Sequence, residues 1–398
     1  MNEAPLRPTV TLAPGGHRRT AAGHPWVFSN EIKMEAAAKA LPPGSIVAIA
    51  AADGRALGCA AFNPHALIAA RLLDRDPQRL IDRRFFLQRF ERALALRRRL
   101  YAEPYYRLIH AEADGLPGLI LDRFGEIAVL QLNTAGMARL ETEILDACQK
   151  LLAPAAIVLR NDSPARALEG LASEIRVAAG TLSGPVEIGE NGARFLIDPQ
   201  AGQKTGWFYD QRENRRFVAG LAAGARVLDL YCFGGGFAIA AARAGADTVL
   251  AIDRSEPALT LAAASADLNG VGARCRFARG EAFAELARLA DAGEKFDVVI
   301  ADPPAFVKSR KDLGPGLRGY RKLARLAAAR VAKGGLLFIA SCSHNVEPAA
   351  FAEAVRRGLE DAERGGRILL SAGAAPDHPV HPALPETAYL KAQVLALD

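Results

Sequence analysis

An aspartate and a cysteine, forty positions apart, are the residues of this chain best suited to do chemistry together. Asp302 stands in Ala301-Asp302-Pro303-Pro304-Ala305-Phe306, and Cys342 in Ala340-Ser341-Cys342-Ser343. Each follows an apolar run that reads as a buried strand, Phe296 to Ile300 before the first and Gly335 to Ile339 before the second. In a parallel sheet the residues just past the strand ends share one crevice, and ligands bind there. A carboxylate beside a thiol suits chemistry on a flat heteroaromatic ring. Two prolines fix the backbone after Asp302, so its carboxylate can meet a ring edge while Phe306 stacks on the face.

The elements that must position this pair begin near Val186. Val227 to Leu230 reads as a strand, Gly236 to Ala244 as a helix, Thr248 to Asp253 as a strand and Pro257 to Asn269 as a helix. This alternation predicts an α/β domain with a doubly wound parallel sheet. Its first strand enters Asp229-Leu230-Tyr231-Cys232-Phe233-Gly234-Gly235-Gly236-Phe237, where glycines let the backbone approach a ligand. Cys232 occupies the first glycine of the dinucleotide pattern, which weakens an NAD reading. Acids mark successive strand ends: Asp229, Asp253, Glu281 and Asp302. Asp253 can accept from ribose hydroxyls, and Glu281 can meet an adenine amino group. A strand-end acid can equally cap the helix that follows. One acid per strand end, with Asp-Pro-Pro, resembles the class I S-adenosylmethionine-dependent methyltransferases. The resemblance implies S-adenosylmethionine as cofactor, bound by Asp229, Tyr231, Phe233, Gly234, Gly236, Asp253, Glu281 and Asp302.

Asp-Pro-Pro before an aromatic residue also resembles the fourth motif of methyltransferases that act on nucleic-acid bases. That motif alone suits methylation of an exocyclic amine as well. Cys342 separates the two, because carbon 5 of a pyrimidine is too weak a nucleophile to attack a sulfonium methyl. A thiolate added at carbon 6 turns carbon 5 into an enamine-like nucleophile, and amine methylation needs no thiol. In the expected sequence Cys342 adds to carbon 6 and Asp302 stabilises or protonates the ring-nitrogen side. Carbon 5 takes the methyl, a base removes its proton and Cys342 is expelled. His344 is near in sequence but reads more readily as a surface residue. Lys308 or Arg310 could depress the thiol pKa. Cys232 is the competing nucleophile, while Cys59, Cys148 and Cys275 read as packing residues.

The whole chain bounds the setting. It has 398 residues, enough for two or three domains. No apolar run reaches the ~18 residues needed to span a bilayer. Pro5, Arg7 and Pro8 interrupt any signal-peptide core. The five scattered cysteines show neither metal-ligand spacing nor a disulfide framework. A cytoplasmic protein with free thiols, no metal and no membrane contact is expected. Residues 1–103 hold 16 Lys/Arg against 9 Asp/Glu, a net of +7, and the remainder is near neutral. A basic N-terminal quarter joined to a neutral catalytic part fits a phosphate-backbone footprint, and RNA is the expected partner.

Short strands broken by Gly and Pro from about Thr9 to Leu73 suggest a small β-barrel. Asp76 to Glu103 turns helical, with Phe85, Phe86, Phe90, Leu94 and Leu96 on one stripe and seven arginines on much of the rest. Leu116 to Leu132 reads as a hairpin, followed by a helix near Leu140 to Leu152 and a strand at Ala156 to Arg160. The expected domains are 1–75, a small barrel; 76–185, a linker helix and a central α+β domain; and 186–398, the α/β domain.

Nearly end to end, the chain resembles the bacterial ribosomal large-subunit methyltransferase I family, cytosine-5 methyltransferases of 23S rRNA. Gly23-His24-Pro25-Trp26-Val27-Phe28-Ser29 and Phe62-Asn63-Pro64 are similar to that family's PUA domain, an RNA-binding barrel. Glu112 to Leu119, Arg160-Asn161-Asp162-Ser163 and Leu168-Glu169-Gly170 are similar to its central domain. Gly202-Gln203-Lys204-Thr205-Gly206-Trp207-Phe208-Tyr209-Asp210-Gln211-Arg212-Glu213-Asn214-Arg215 resembles its most distinctive segment. The resemblance puts the nucleophile on Cys342. It implies that Gln203, Lys204, Asp210, Arg212 and Phe306 meet the substrate, a cytidine flipped or looped out of 23S rRNA. His24, Trp26 and Phe28 read either as RNA contacts or as core. A homodimer is one oligomeric state left open. Two features depart from the family. Its cofactor loop usually reads Tyr-Thr-Gly-Gly-Phe where this chain has Phe233-Gly234-Gly235-Gly236-Phe237, and Ala305 replaces a usual lysine, removing a phosphate or base contact.

Two other readings compete. An amine or guanine methyltransferase of the same fold would find Cys342 dispensable. A non-catalytic RNA-binding or ribosome-assembly factor would keep S-adenosylmethionine as a structural ligand.

Overall fold

The computed structural model describes residues 7–398, so Pro5 lies outside the described residues. The chain divides into two units. The first holds residues up to Gly184 together with Pro199–Gly206 and Asp377–Pro385. The second holds Pro185–Asp198, Trp207–Pro376 and Glu386–Asp398. Among the described residues no helix is long and apolar enough to cross a membrane.

Within the first unit, one five-stranded sheet runs in spatial order Thr9–Thr11, Ser45–Ala50, Ala56–Phe62, Ala70–Asp74 and Trp26–Val27. A bridge between Leu12 and Ile32, with Lys33 N–H donating to Thr11 O, brings the chain beyond Val27 back onto the first strand. The sheet curls around Val10, Leu12, Val47, Ile49 and Phe62, as the strand spacing predicts. Trp26 does not belong to that core: its indole N–H donates to Glu112 Oε1 at 2.8 Å, and Arg71 lies over its ring.

A second five-stranded sheet runs Glu174–Gly180, Ala156–Asn161, Ile127–Leu132, Leu119–Phe124 and Tyr105–His110. The predicted hairpin is its Leu119–Phe124 and Ile127–Leu132 pair. Helices Arg83–Leu100 and Glu141–Leu152 pack with it. Asp82 starts the first of these by accepting from Phe85 N–H. Phe85, Phe86, Phe90 and Leu94 are buried, in a core shared with Cys59, Ala61 and Leu73 of the first sheet. Arg83, Arg84, Arg92, Arg98 and Arg99 stay exposed. Arg97 does not join that basic face. It is buried in a bidentate pair with Asp114 at 2.8 and 2.7 Å and also donates to Asp377 O. Arg107 N–H donates to Asp377 Oδ2, so a segment late in the sequence is built into the first unit.

The second unit is organised by a seven-stranded sheet, whose strands we number β1 (Arg226–Leu230), β2 (Thr248–Asp253), β3 (Cys275–Arg279), β4 (Phe296–Ala301), β5 (Val331–Ser341), β6 (Gly366–Ala372) and β7 (Lys391–Leu397). The spatial order is β3-β2-β1-β4-β5-β7-β6. The first five strands are parallel, and β7 enters antiparallel between β5 and β6. Alternate residues feed opposite cores, as a sheet covered on both faces requires. Leu228, Val299 and Leu337 pack with Leu286, Tyr320, Leu323 and Phe351, while Val227, Val298 and Phe338 pack with Val218, Phe237 and Ala241. The strand order reverses between β1 and β4, and such a switch point opens a ligand crevice at the carboxyl ends of the strands.

Candidate active site

The turn after β1 is the first wall of that crevice. Tyr231 and Phe233 adopt φ of 64° and 48°, and Gly235 follows at 76°. Left-handed non-glycine residues cost energy, and they persist where their surroundings hold them. Here Cys232 N–H donates to Ile252 O, and Phe233 N–H donates to Asp253 Oδ2 at 2.9 Å. A Cβ on Gly235 would sit 3.1–3.2 Å from Ala262, Ile239 and Phe277, so its positive φ and its tight seat both favour glycine.

The strand-end acids divide into two kinds. Asp229 is 1% exposed, and its Oδ2 accepts from Ala238 N–H at 3.0 Å. Burial pushes its pKa up, with the nearby carboxylates of Asp302 and Asp253 adding to the rise. It therefore shapes the turn from inside, with one carboxylate oxygen bound to the start of the helix that follows. Glu281 is exposed and caps helix Ala282–Asp291 through Ala284 N–H. Asp253 is half-buried and accepts from Phe233 and Ser255 N–H, yet a carboxylate has about four lone-pair positions and can take a ribose hydroxyl as well. The strained turn, Asp253 and Glu281 lie along one row of strand ends, and together they fit an adenosyl group.

Residues 207–215 brace the turn. Glu190, 3% exposed, accepts from Arg215 at 2.6 and 3.0 Å and from the Trp207 indole at 3.0 Å, and pairs with Arg212 at 3.5 Å. Cβ atoms on Gly234 and Gly236 would meet Trp207 and Arg215 at 3.2 and 2.9 Å, so the glycines rest directly on this pair. One turn further on, Gln211 Nε2 donates to Asp302 Oδ2 at 2.9 Å, and Asn214 Nδ2 donates to Gln211 Oε1 at 2.6 Å. Asp210 and Arg212, expected to meet substrate, are buried. Asp210 accepts from Tyr389 O–H at 2.5 Å, and Arg212 pairs with Glu190 and lies over the Tyr209 ring. Both side chains are thus engaged within the protein beneath the turn. Gln203 and Lys204 are exposed and belong to the first unit, on Pro199–Gly206.

The loops carrying Asp302 and Cys342 meet at the ends of β4 and β5. Register pairs Ala301 with Ile339, and the Cys342 Sγ lies 3.9 Å from Pro303 O. Tyr320 ties the two loops together. Its hydroxyl accepts from Phe306 N–H and Ser341 O–H and lies 2.8 Å from Ser343 Oγ, which in turn accepts from Val307 N–H. The serines flanking Cys342 are thus fully buried anchors for a half-exposed thiol. Phe306 packs on Tyr320 with ring centres 4.7 Å apart, so part of the ring expected to stack on a base is engaged in the protein. His344 is exposed and stacks on Tyr389. Lys308 and Arg310 are exposed on the same loop system.

The other thiols are poor nucleophiles. Burial, followed by Asp229 and Asp253, pushes Cys232 well up, which removes it as a competitor. Burial pushes Cys148 up to about 12, Cys275 up to about 11, and Cys59 up as well. Alkylation of the folded protein near pH 7.5 is expected to mark Cys342 before the other four. Peptide mapping checks this, and faster labelling of Cys232 would contradict it.

Sequence reasoning missed Gln211, Asn214, Glu190, Tyr320 and Lys391. The dense polar run Asp210-Gln211-Arg212-Glu213-Asn214-Arg215 was a signal for the first two. The others carry no local signal.

A strained glycine turn at the switch point and an Asp-Pro-Pro loop beside a cysteine define a nucleotide-cofactor transferase site, and comparison with known proteins gives its class. The S-adenosylmethionine-dependent methyltransferase family matches residues 167–389, and the PUA-like domain family matches residues 10–75. The protein is an S-adenosylmethionine-dependent methyltransferase with a PUA-like N-terminal domain. It is 36% identical over 391 residues to Ribosomal RNA large subunit methyltransferase I of Erwinia tasmaniensis, covering 96% of this chain and 97% of that one. It is 37% identical over 392 residues to the Aeromonas salmonicida protein of the same name, covering 97% and 98%. The chain belongs to the ribosomal RNA large subunit methyltransferase I family, as its motifs implied. Its fold is that of a candidate S-adenosylmethionine-dependent methyltransferase from Streptococcus mutans, with a TM-score of 0.82 at 19% identity over 98% of this chain and 100% of that one. A candidate methyltransferase solved with SAH aligns with a TM-score of 0.83, also at 19% identity, over 98% of this chain and 100% of that one.

Proposed function

We propose that this protein methylates carbon 5 of a cytidine in 23S rRNA, in the cytoplasm, through a covalent bond between Cys342 and carbon 6. The observation that carries the reading is the Cys342 sulfur beside the Asp302-Pro303 loop, 3.9 Å from the Pro303 carbonyl. An amine methyltransferase needs the acid and not the thiol. The names of the relatives support an rRNA substrate.

When bound, S-adenosylmethionine supplies a methyl made electrophilic by its sulfonium. The glycine turn, Asp253 and Glu281 hold the adenosyl part. Cys342 attacks carbon 6, and the electron pair moves to carbon 5 and the ring-nitrogen side. Asp302, fixed by Gln211, meets that side as charge develops. Carbon 5 takes the methyl and then loses its proton to a base. The carbon–sulfur pair returns to Cys342. Mass spectrometry of rRNA from cells with and without this gene tests the reading. A 5-methylcytidine present only with the gene is expected, and a methylated exocyclic amine would replace it with the amine reading.

The exposed arginines of helix Arg83–Leu100 suit the RNA backbone. Changing Arg98 and Arg99 to alanine is expected to weaken rRNA binding and lower the salt slope of log K by about one per lost phosphate contact. A titration at several salt concentrations measures it, and an unchanged slope would move the RNA off this helix.

A further inference from the structure

The cation closest in role to the nucleophile comes from β7, not from the loop that carries Cys342. Lys391 is the first residue of β7 and pairs in register with Ser341, the last residue of β5. Its side chain is 6% exposed. Its ammonium donates to Ser343 O at 2.6 Å and to Tyr389 O at 2.7 Å, so it is fastened to the residue directly after Cys342. Both acceptors are neutral carbonyls. A lysine buried on carbonyls alone is costly, and such groups tend to persist where a charge is needed.

We propose that Lys391 is a positioning residue for the nucleophile: its ammonium, fixed on the carbonyl of the residue after Cys342, holds the sulfur as a thiolate. Burial lowers the Lys391 pKa, and Cys342 and then Glu347 work against that fall. Other titratable groups of the neighbourhood are Tyr320 and Asp302 on the adjoining helix and loop, His344 and Tyr389 stacked at the rim, and the exposed Lys308 and Arg310. Of these, Lys391 is the buried cation. The Cys342 proton leaves to solvent before substrate binds. When sulfur bonds to carbon 6 its charge passes to the ring, and the pair returns to sulfur on expulsion. Lys391 stays protonated throughout and transfers no proton.

The inference rests on Cys342 as nucleophile, but its test uses no RNA. The rate of Cys342 alkylation by iodoacetamide is followed against pH, with Cys342→Ala as the blank. The wild-type midpoint is expected below the ordinary thiol value of about 8.5. Lys391→Gln, which keeps an amide donor and loses the charge, is expected to raise the midpoint by one unit or more, about a tenfold slower reaction at pH 7. A wild-type midpoint at or above the ordinary value, or an unmoved midpoint in a Lys391→Gln protein that unfolds at the wild-type temperature, would overturn the proposal. A second measurement needs no change at Lys391. With carbon-13 at lysine Cε, Cys342→Ala is expected to lower the pH at which Lys391 loses its proton, because coupling between two sites is reciprocal. An unchanged lysine titration would overturn it too. If both titrations are coupled while Cys342→Ala still methylates RNA at full rate, the thiolate pair stands and the nucleophile reading falls.

Discussion

Cys342→Ala is expected to abolish methyl transfer, a loss of more than about 10⁴-fold in turnover, because no other group can activate carbon 5. The variant should fold and keep its affinity for S-adenosylmethionine. Cys342 is half-buried, its sulfur makes a weak contact with Pro303 O, and Ser341, Ser343 and Tyr320 anchor its loop. Cys232 should not rescue it, since burial and two nearby carboxylates keep that thiol protonated. Asp302→Asn removes charge and leaves the Gln211 contact possible, so a smaller loss of roughly 10² to 10⁴-fold is expected. Single-turnover assays with labelled cofactor measure both. Equal, mild losses would indicate an amine methyltransferase in which the thiol is a bystander.

The largest effect on the fold of the second unit is expected from Glu190→Ala. Glu190 holds Arg215, Arg212 and the Trp207 indole in the interior. Removing one partner of a buried ion pair leaves uncompensated charge and typically costs about 3–5 kcal/mol. Here two guanidiniums lose their shared carboxylate. Gly234 and Gly236 rest on Trp207 and Arg215, so the strained turn above them should loosen as well. Denaturant unfolding and a titration with S-adenosylmethionine are expected to show lost stability and weakened binding together. A variant that unfolds like the wild type and binds normally would show that the turn stands without this brace.

What could be read ahead of the structure follows a physical division. The parallel sheet was legible because each strand is a local apolar run and each helix follows at once, as with Val227 to Leu230 and Gly236 onward. The same logic brought Asp302 and Cys342 together, since both stand just past adjacent parallel strands. Partners fixed by long-range packing were not legible. Glu190 meets Arg215 across 25 positions and Gln211 meets Asp302 across 91, and no periodicity encodes either contact. Nor could residue type tell a ligand-facing acid from a structural one. Asp229 is buried under the turn, while Asp253 is half-exposed and Glu281 exposed at their strand ends. Asp210 and Arg212, which the family resemblance implies as substrate contacts, each have a buried partner that no local pattern announces. Asp377–Pro385 shows the same limit at the scale of a segment, joining the first unit from far along the chain.

The covalent bond is the centre of the account, and trapping tests it most directly. The protein is incubated with S-adenosylmethionine and with rRNA made from 5-fluorocytidine, in which fluorine replaces the proton that must leave carbon 5. The methylated adduct then cannot break down. A denaturant-stable protein–RNA complex is expected, and mass spectrometry of its digest should find the nucleotide on the peptide that contains Cys342. An adduct on Cys232, or no adduct from a preparation that fully methylates unsubstituted rRNA, would contradict the account.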